Sequence, residues 1–282
     1  MTIQKLKLVF HSELNDKQQE KVASIYLDYR NWGNVIVKDT EKRSINLDSS
    51  LTDLIVNDAL SRDNIFPYGQ IVLLSKEEEW VPIGSINTVV SSTNKVKECF
   101  DKYDAWNFFN NNGRLSPSTY VKEGDRWICF AIQTDYDIKK KYPEIKPGDL
   151  ILKAVKLLSF NKAGDNIELN STIEFSEDFR NAIGKHKNIS YINPLTRLSG
   201  YSKFHEKYNG ISAFDYAENI KRITSPNIFE SSSFDSDLRD ISKTCSLRYH
   251  LSRGAVIEKV IENFRVNDIS SLGYGASVLY SR

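Results

Sequence analysis

Apolar residues change their spacing partway along this chain, and that change limits the architectures open to it. Up to about residue 176 they alternate with polar neighbours or form short runs; beyond it they mostly recur at helical spacing. Leu6, Leu8 and Phe10 alternate as in a half-buried first strand. Asn15 or Asp16 is placed to cap a helix reaching Tyr29, with Val22, Ile25 and Tyr26 on one face. Residues 35–37, 70–74, 81–90, 127–132 and 150–160 read as strands, and 166–175 alternates as in an antiparallel one. Helices are expected from Asp48 or Ser49 through Leu60 and over residues 95–103. Pro147-Gly148-Asp149 carries a turn signature, and residues 139–141, all lysine, read as a solvated loop.

Past residue 176, helices are expected over 176–183, 212–223 and 234–264, the last in one or two pieces, with Ser231-Ser232-Ser233 as a loop and cap. Residues 274–280 fit a closing strand. The pattern predicts an α+β fold: a mostly antiparallel sheet or small barrel in the first two-thirds and a helix-rich C-terminal third. The expected division is a sheet-rich domain over 1–176 and a helix-rich region over 177–282, which one continuous domain would also accommodate.

The 282 residues carry a formal net charge of +1, without the overall basic excess of many nucleic-acid-binding domains. Three cysteines, Cys99, Cys129 and Cys245, are widely separated and lack metal-ligand spacing, which favours reduced thiols in a cytoplasmic setting. The N-terminal residues lack the apolar core of a signal peptide. No run reaches the ~20 apolar residues of a membrane span, so no membrane partner is expected.

No catalytic motif is recognisable. Glu144-Ile145-Lys146, downstream of Asp135 and Asp137, has the acid-x-lysine form of some metal-dependent nucleases, but its lysine precedes a proline in an expected turn. His11, His186, His205 and His250 lack metal-binding spacing, and no metal or cofactor is expected. Gly273-Tyr274-Gly275 does not stand between a strand and a helix, so it is not a dinucleotide fingerprint. Cys129, in an apolar strand, reads as core. Phe100, Tyr103, Trp106, Phe108 and Phe109 read as a core cluster, with an exposed Trp106 as the sign of a binding surface.

Two basic groupings remain. Residues 180–205 contain no acid and carry Lys185, Lys187, Arg197 and Lys203 among Tyr191, Tyr201 and Phe204, a composition suited to phosphates and stacked bases. On one helix over 235–253, Arg239, Lys243, His250 and Arg253 would share a face roughly opposite Phe234, Leu238, Ile241, Cys245 and Tyr249. Solvated surface is the competing account of both. Together they lead to the expectation of an intracellular nucleic-acid-associated protein, DNA-binding or RNA-binding, that holds the phosphate backbone through a basic C-terminal surface. The alternatives are a protein-interaction module forming a homo-oligomer, and an enzyme whose site leaves no local pattern. An enzyme would require a concave pocket where titratable residues converge.

Overall fold

The computed structural model describes residues 5–28, 49–76, 78–110, 119–160, 173–225 and 232–282. Its first half contains β1 (Lys5–Phe10), α1 (Asp16–Leu27), α2 (Ser49–Ile65), β2 (Gln70–Lys76), β3 (Trp80–Ser91), α3 (Thr93–Cys99), α4 (Ala105–Asn110), β4 (Arg126–Thr134), α5 (Tyr136–Lys141) and α6 (Pro147–Phe160). There follow β5 (Ile173–Phe175), α7 (Glu177–Ala182), β6 (Tyr191–Arg197), α8 (Tyr201–Lys207), α9 (Ala213–Thr224), α10 (Ser233–Ile241), α11 (Ser246–Leu251), β7 (Val256–Ile261) and β8 (Gly275–Ser281). The strands form one open sheet in the order β5-β1-β2-β3-β4-β6-β8-β7. Most of its pairings are antiparallel; β1 with β5 and β4 with β6 are parallel. Strands from both sides of residue 176 therefore belong to the same sheet.

Local signals set several of these elements. Asn15 caps α1 by accepting from Gln18 N at 3.0 Å, and the Gln18 side chain accepts from Asn15 N in return. Ser232, from the serine run, caps α10 by accepting from Asp235 N. β2 and the centre of β3 are buried on both faces, with Ile71, Leu73, Ile83 and Ile86 wholly enclosed. Such residues have little alternative to a central strand.

Three expectations need correction. Residues 150–160 form most of α6, not a strand. Ile151, Leu152, Ala154, Val155 and Leu158 are buried and Lys153 is exposed, which is a helical stripe. Pro147 belongs to the first helical turn, where its missing N–H is harmless, so Pro147-Gly148-Asp149 opens the helix and does not form the expected turn. Gly84 lets α6 approach the sheet: a Cβ there would stand 3.0 Å from Ile151 Cδ1 and 3.2 Å from Pro147 Cβ.

The long helix expected over 234–264 is also interrupted. α10 stops at Ile241, a 3-10 turn covers Ser242–Thr244, and β7 occupies Val256–Ile261. The Ser242 hydroxyl donates to Leu238 O at 2.6 Å, back-bonding of the kind that bends a helix. Thirdly, the described part of 166–175, β5, runs parallel to β1 and not antiparallel. Smaller departures follow the same logic. Residues 139–141 end α5 and are not a loop. Phe100 and Phe109 are buried as expected, but Tyr103 is 78% and Phe108 54% exposed. The strand expected at 35–37 lies outside the described residues.

The sheet separates two apolar clusters. One side gathers Trp127, Cys129 and the inner face of α6; the other holds Ile128, Leu195, Phe109 and Phe264. The α6 assignment predicts unequal effects of substitution on that helix. Leu158→Ala should cost about 2–5 kcal/mol, while Lys153→Ala should stay within about 0.5 kcal/mol of the parent. Denaturant midpoints with unchanged slopes check both values.

Candidate functional site

The parallel ladder between β4 and β6 is short. Arg126, Trp127, Ile128 and Cys129 pair with Tyr191, Ile192, Asn193 and Pro194, and there the match ends. Two local features stop it. Pro194 has no N–H to donate, so β6 cannot continue a regular ladder past that point. β4 carries an extra residue, Phe130, between Cys129 and Ala131, which pair with consecutive residues of β3. Such a bulge bends its strand. β4 and β6 therefore part, and their facing edges are unpaired with each other beyond Cys129 and Pro194.

The closed end of this V is fastened by a polar network. Arg126 is 2% exposed and donates from Nη1 and Nη2 to the two carboxylate oxygens of Glu258 on β7, both at 2.7 Å. Its Nη1 also donates to Asn193 Oδ1 at 2.9 Å, and its Nε to Thr93 Oγ1 at 2.9 Å. The Asn193 amide donates to Val278 O at 2.9 Å and Ser277 Oγ at 2.8 Å on β8, across the interruption that Pro194 makes. Burial works against the charged Glu258 carboxylate, but hydrogen bonds from Arg126 and Ser277 outweigh it and hold its pKa below the usual value. Thus β4, β6, β8 and β7 are joined at one level.

The open end is a cleft of about 680 Å³, within the roughly 300–1,000 Å³ range of small-molecule sites. It is lined from both sides of the sheet. Cys129, Ile132 and Tyr249 belong with one apolar cluster, and Phe130, Leu195 and Phe264 with the other. The cleft therefore passes between the strands and does not lie on one face.

Its polar lining comes from α6, β6, α11 and the residues beside them. Arg253 stacks on the Tyr249 ring at 3.7 Å and donates to both oxygens of Asp149, from Nε at 2.7 Å and Nη2 at 2.9 Å. Tyr249 Oη donates to Asp149 Oδ1 at 2.8 Å. Burial opposes the Asp149 charge, yet the bonds from Arg253 and Tyr249 hold its pKa down. Burial, with Asp149 beside it, pushes the Tyr249 phenol up. Thr196 Oγ1 and Ser246 Oγ are hydrogen-bonded to each other in the same cleft. His250 is buried with Nδ1 2.9 Å from Tyr280 Oη, and burial plus the charges of Arg253 and Lys156 drive it down to about 3. It is a neutral imidazole near pH 7, as is required for a hydrogen-bonding role without charge.

Of the residues nominated from sequence, Arg197, His250 and Arg253 line this cleft. Lys185, Lys187, Lys203, Arg239 and Lys243 are not among its lining residues. Lys185 donates to Tyr68 Oη at 3.1 Å, and Arg239 donates to Ile223 O at 3.3 Å. Lys187, Lys203 and Lys243 are exposed on the 182–191 connection, α8 and the turn after α10. The postulated basic helix face does not exist, because the helix breaks between Arg239 and His250. Arg253 is paired with Asp149, and Arg197 with Asp268 at 3.4 Å. The acid-x-lysine grouping likewise dissolves: Asp135 caps α5 and pairs with Lys21, while Lys146 lies in the cleft wall. Sequence reasoning missed Asp149, Thr196 and Ser246, and placed Tyr249 in a buried stripe. Among the described residues, no group of three His, Cys, Asp or Glu side chains could hold a metal ion, and no helix is long and apolar enough to cross a membrane.

Two solved structures resemble the whole chain. The loading GNATL domain of CurA from Lyngbya majuscula is 14% identical, with a TM-score of 0.54 over 98% of this chain and 97% of its own. The GphF GNAT-like decarboxylase, in complex with isobutyryl-CoA, is 14% identical, with a TM-score of 0.52 over 97% of this chain and 98% of its own. No protein-family model matches the sequence, and neither does any curated protein. The nucleic-acid reading is thereby corrected. The whole-chain likeness is to GNAT-like domains, and the cations behind the other reading are dispersed or paired.

The state of His250 sets a pH dependence. Its folded pKa lies below the unfolded value of about 6.5, so its contribution to stability is complete above that pH. The contribution is lost progressively as pH falls from about 6.5 towards 3. His250→Gln should flatten the stability profile over that window, as measured by denaturant titration at successive pH values. On this evolving chain of contacts, the fold is that of a GNAT-like domain.

Proposed function

We propose that this chain is an enzyme that binds an acyl-CoA thioester in the cleft between β4 and β6 and acts on its acyl group. The observation that carries this reading is the parting of two parallel neighbours, β4 and β6, into a slot through the sheet. The arm of coenzyme A is narrow, extended and amide-bearing, and unpaired strand edges suit such a ligand through strand-like hydrogen bonds. At one wall of the slot, Lys146 and the first turn of α6 favour negative charge, as the phosphates of coenzyme A require. The complex of the GphF decarboxylase with isobutyryl-CoA, a protein of like fold, supports the same choice of ligand.

The lining also favours a type of chemistry. His250 is driven to about 3 and the Tyr249 phenol is raised, so both are moved away from neutrality. Neither is matched to general-base work near pH 7. Thr196, Ser246 and Tyr249 are hydroxyl groups suited to hydrogen-bonding a carbonyl oxygen on which charge develops. The reading is thus of an enzyme that polarises a bound thioester with fixed donors.

Calorimetric titration with coenzyme A and acetyl-CoA should give a single site of about micromolar affinity, near −8 kcal/mol. Ligand at a hundredfold excess over Kd should stabilise the fold by about 2.7 kcal/mol. Ala131→Trp, which puts a large ring in the slot, should remove the binding heat. Absence of both heat and thermal stabilisation in the parent chain at millimolar ligand would sink the reading.

A further inference from the structure

Arg265 is the charged group of the cleft that the reading above leaves unused. It follows Phe264 on the β7–β8 connection, and its backbone N–H donates to Gly273 O at 3.1 Å. The side chain is half-buried, lines the cleft, and lies over the Trp106 ring at 4.0 Å. Its Nε is sealed from solvent without a hydrogen-bond partner. Among the described residues no carboxylate forms an ion pair with it. Burial, reinforced by the charge of Arg197, pushes its pKa down to about 10, although Asp268, Tyr26 and Asp104 favour the charged form. Arg265 therefore remains a cation at neutral pH.

Arg197 lines the same stretch of cleft. The nearest carboxylate, Asp268, is already engaged: it pairs with Arg197 at 3.4 Å and accepts from Ser271 Oγ at 2.9 Å and Ser270 N at 3.1 Å. Two guanidinium groups thus share one carboxylate in a half-buried place, and a positive charge is left over. A guanidinium over an aromatic ring is held in one plane, and its fork matches a carboxylate. Phe130, Leu195 and Phe264 around it belong to the apolar cluster on the side of the sheet away from α6.

We infer that Arg265, supported by Arg197, receives a carboxylate carried by the substrate on the side of the sheet away from α6. The inference rests on the acyl-CoA reading of this cleft and names a chemical feature of what is bound beyond the thioester. The carboxylate belongs either to the far end of the acyl group or to a second, free substrate that meets it there.

Binding measurements on the whole chain distinguish these sources. In one arm, acyl-CoA thioesters ending in a carboxylate are titrated against methyl-ended counterparts of equal length. In the other, free short carboxylic acids are titrated into protein saturated with coenzyme A. A preference of about tenfold or more for the carboxylate in the first arm assigns it to the acyl group, and saturable binding in the second assigns it to a co-substrate. Arg265→Met should bring the first ratio close to one or abolish the second binding, and Arg265→Lys should keep part of the effect. Because Arg265→Met removes an unpartnered charge, its thermal midpoint should not fall below the parent's. No carboxylate effect in either arm, or an effect that survives Arg265→Met, overturns the inference while leaving coenzyme A binding intact. Failure of coenzyme A itself to bind instead overturns the functional reading; free acids titrated alone then decide the arginine pair, and no binding overturns it too.

Discussion

The buried contact between Arg126 and Glu258 is the constraint on which the rest of the sheet depends. Removing a guanidinium and a carboxylate from water costs several kcal/mol per ion, and their attraction offsets this only when other hydrogen-bonding positions are filled. Here they are. Thr93, Asn193 and Ser277 engage the pair, and the Asn193 amide reaches Val278 O on the next strand. One charged cluster therefore joins strands from distant parts of the chain: Arg126 and Glu258 are 132 positions apart. Loss of either partner would strand a charge inside the sheet, at a cost of about 3–5 kcal/mol.

The site follows from having that fastening at only one end. At the other, Pro194 withholds a donor and Phe130 bends its strand. Neither defect would be tolerated if the flanking strands did not hold the pieces in place. β3 continues to pair with β4 past the bulge, and β8 resumes pairing with β6 from Leu195 to Arg197. The two separated edges are therefore stiff, and the gap between them persists without a ligand to hold it open. Helices complete the walls. α6 brings Lys146 and Asp149 to one side, while α11 and the residue stretch just after it bring Ser246, Tyr249, His250 and Arg253 to the other.

Much of the first half of the fold is legible in the sequence, because β1, β2, β3 and α1 carry plain alternation or a plain cap. Two central pieces are not. β6 contains Asn193, Pro194 and Thr196, which break any strand pattern, and its apolar residues number few; only the finished sheet explains why a proline and a buried amide stand there. α6 is a nearly continuous apolar run, which periodicity cannot separate from a buried strand; the lysines at 153 and 156, three apart, were the available sign of a helix. The acid-free segment misled for a related reason. Acids are missing from residues 180–205 largely because Ile189, Ile192, Leu195, Leu198, Tyr201 and Phe204 are interior, not because the segment presents cations to phosphates. The residues Arg197, His250 and Arg253 were visible as charged positions, but their meeting around one slot depends on a topology that local spacing does not encode.

The taper of that slot has a geometric consequence. Two rods held together at one point and diverging from it make a gauge: the distance an object travels inward depends on its girth. The narrow end lies at Cys129 and Pro194. Burial keeps the Cys129 sulfur protonated there, with its pKa raised well above the usual thiol range. A slender group could advance almost to that sulfur and meet no thiolate, whereas a branched or bulky one would lodge sooner, among the hydroxyls and arginines of the wider part. Discrimination in such a slot would be by cross-section first and by charge second.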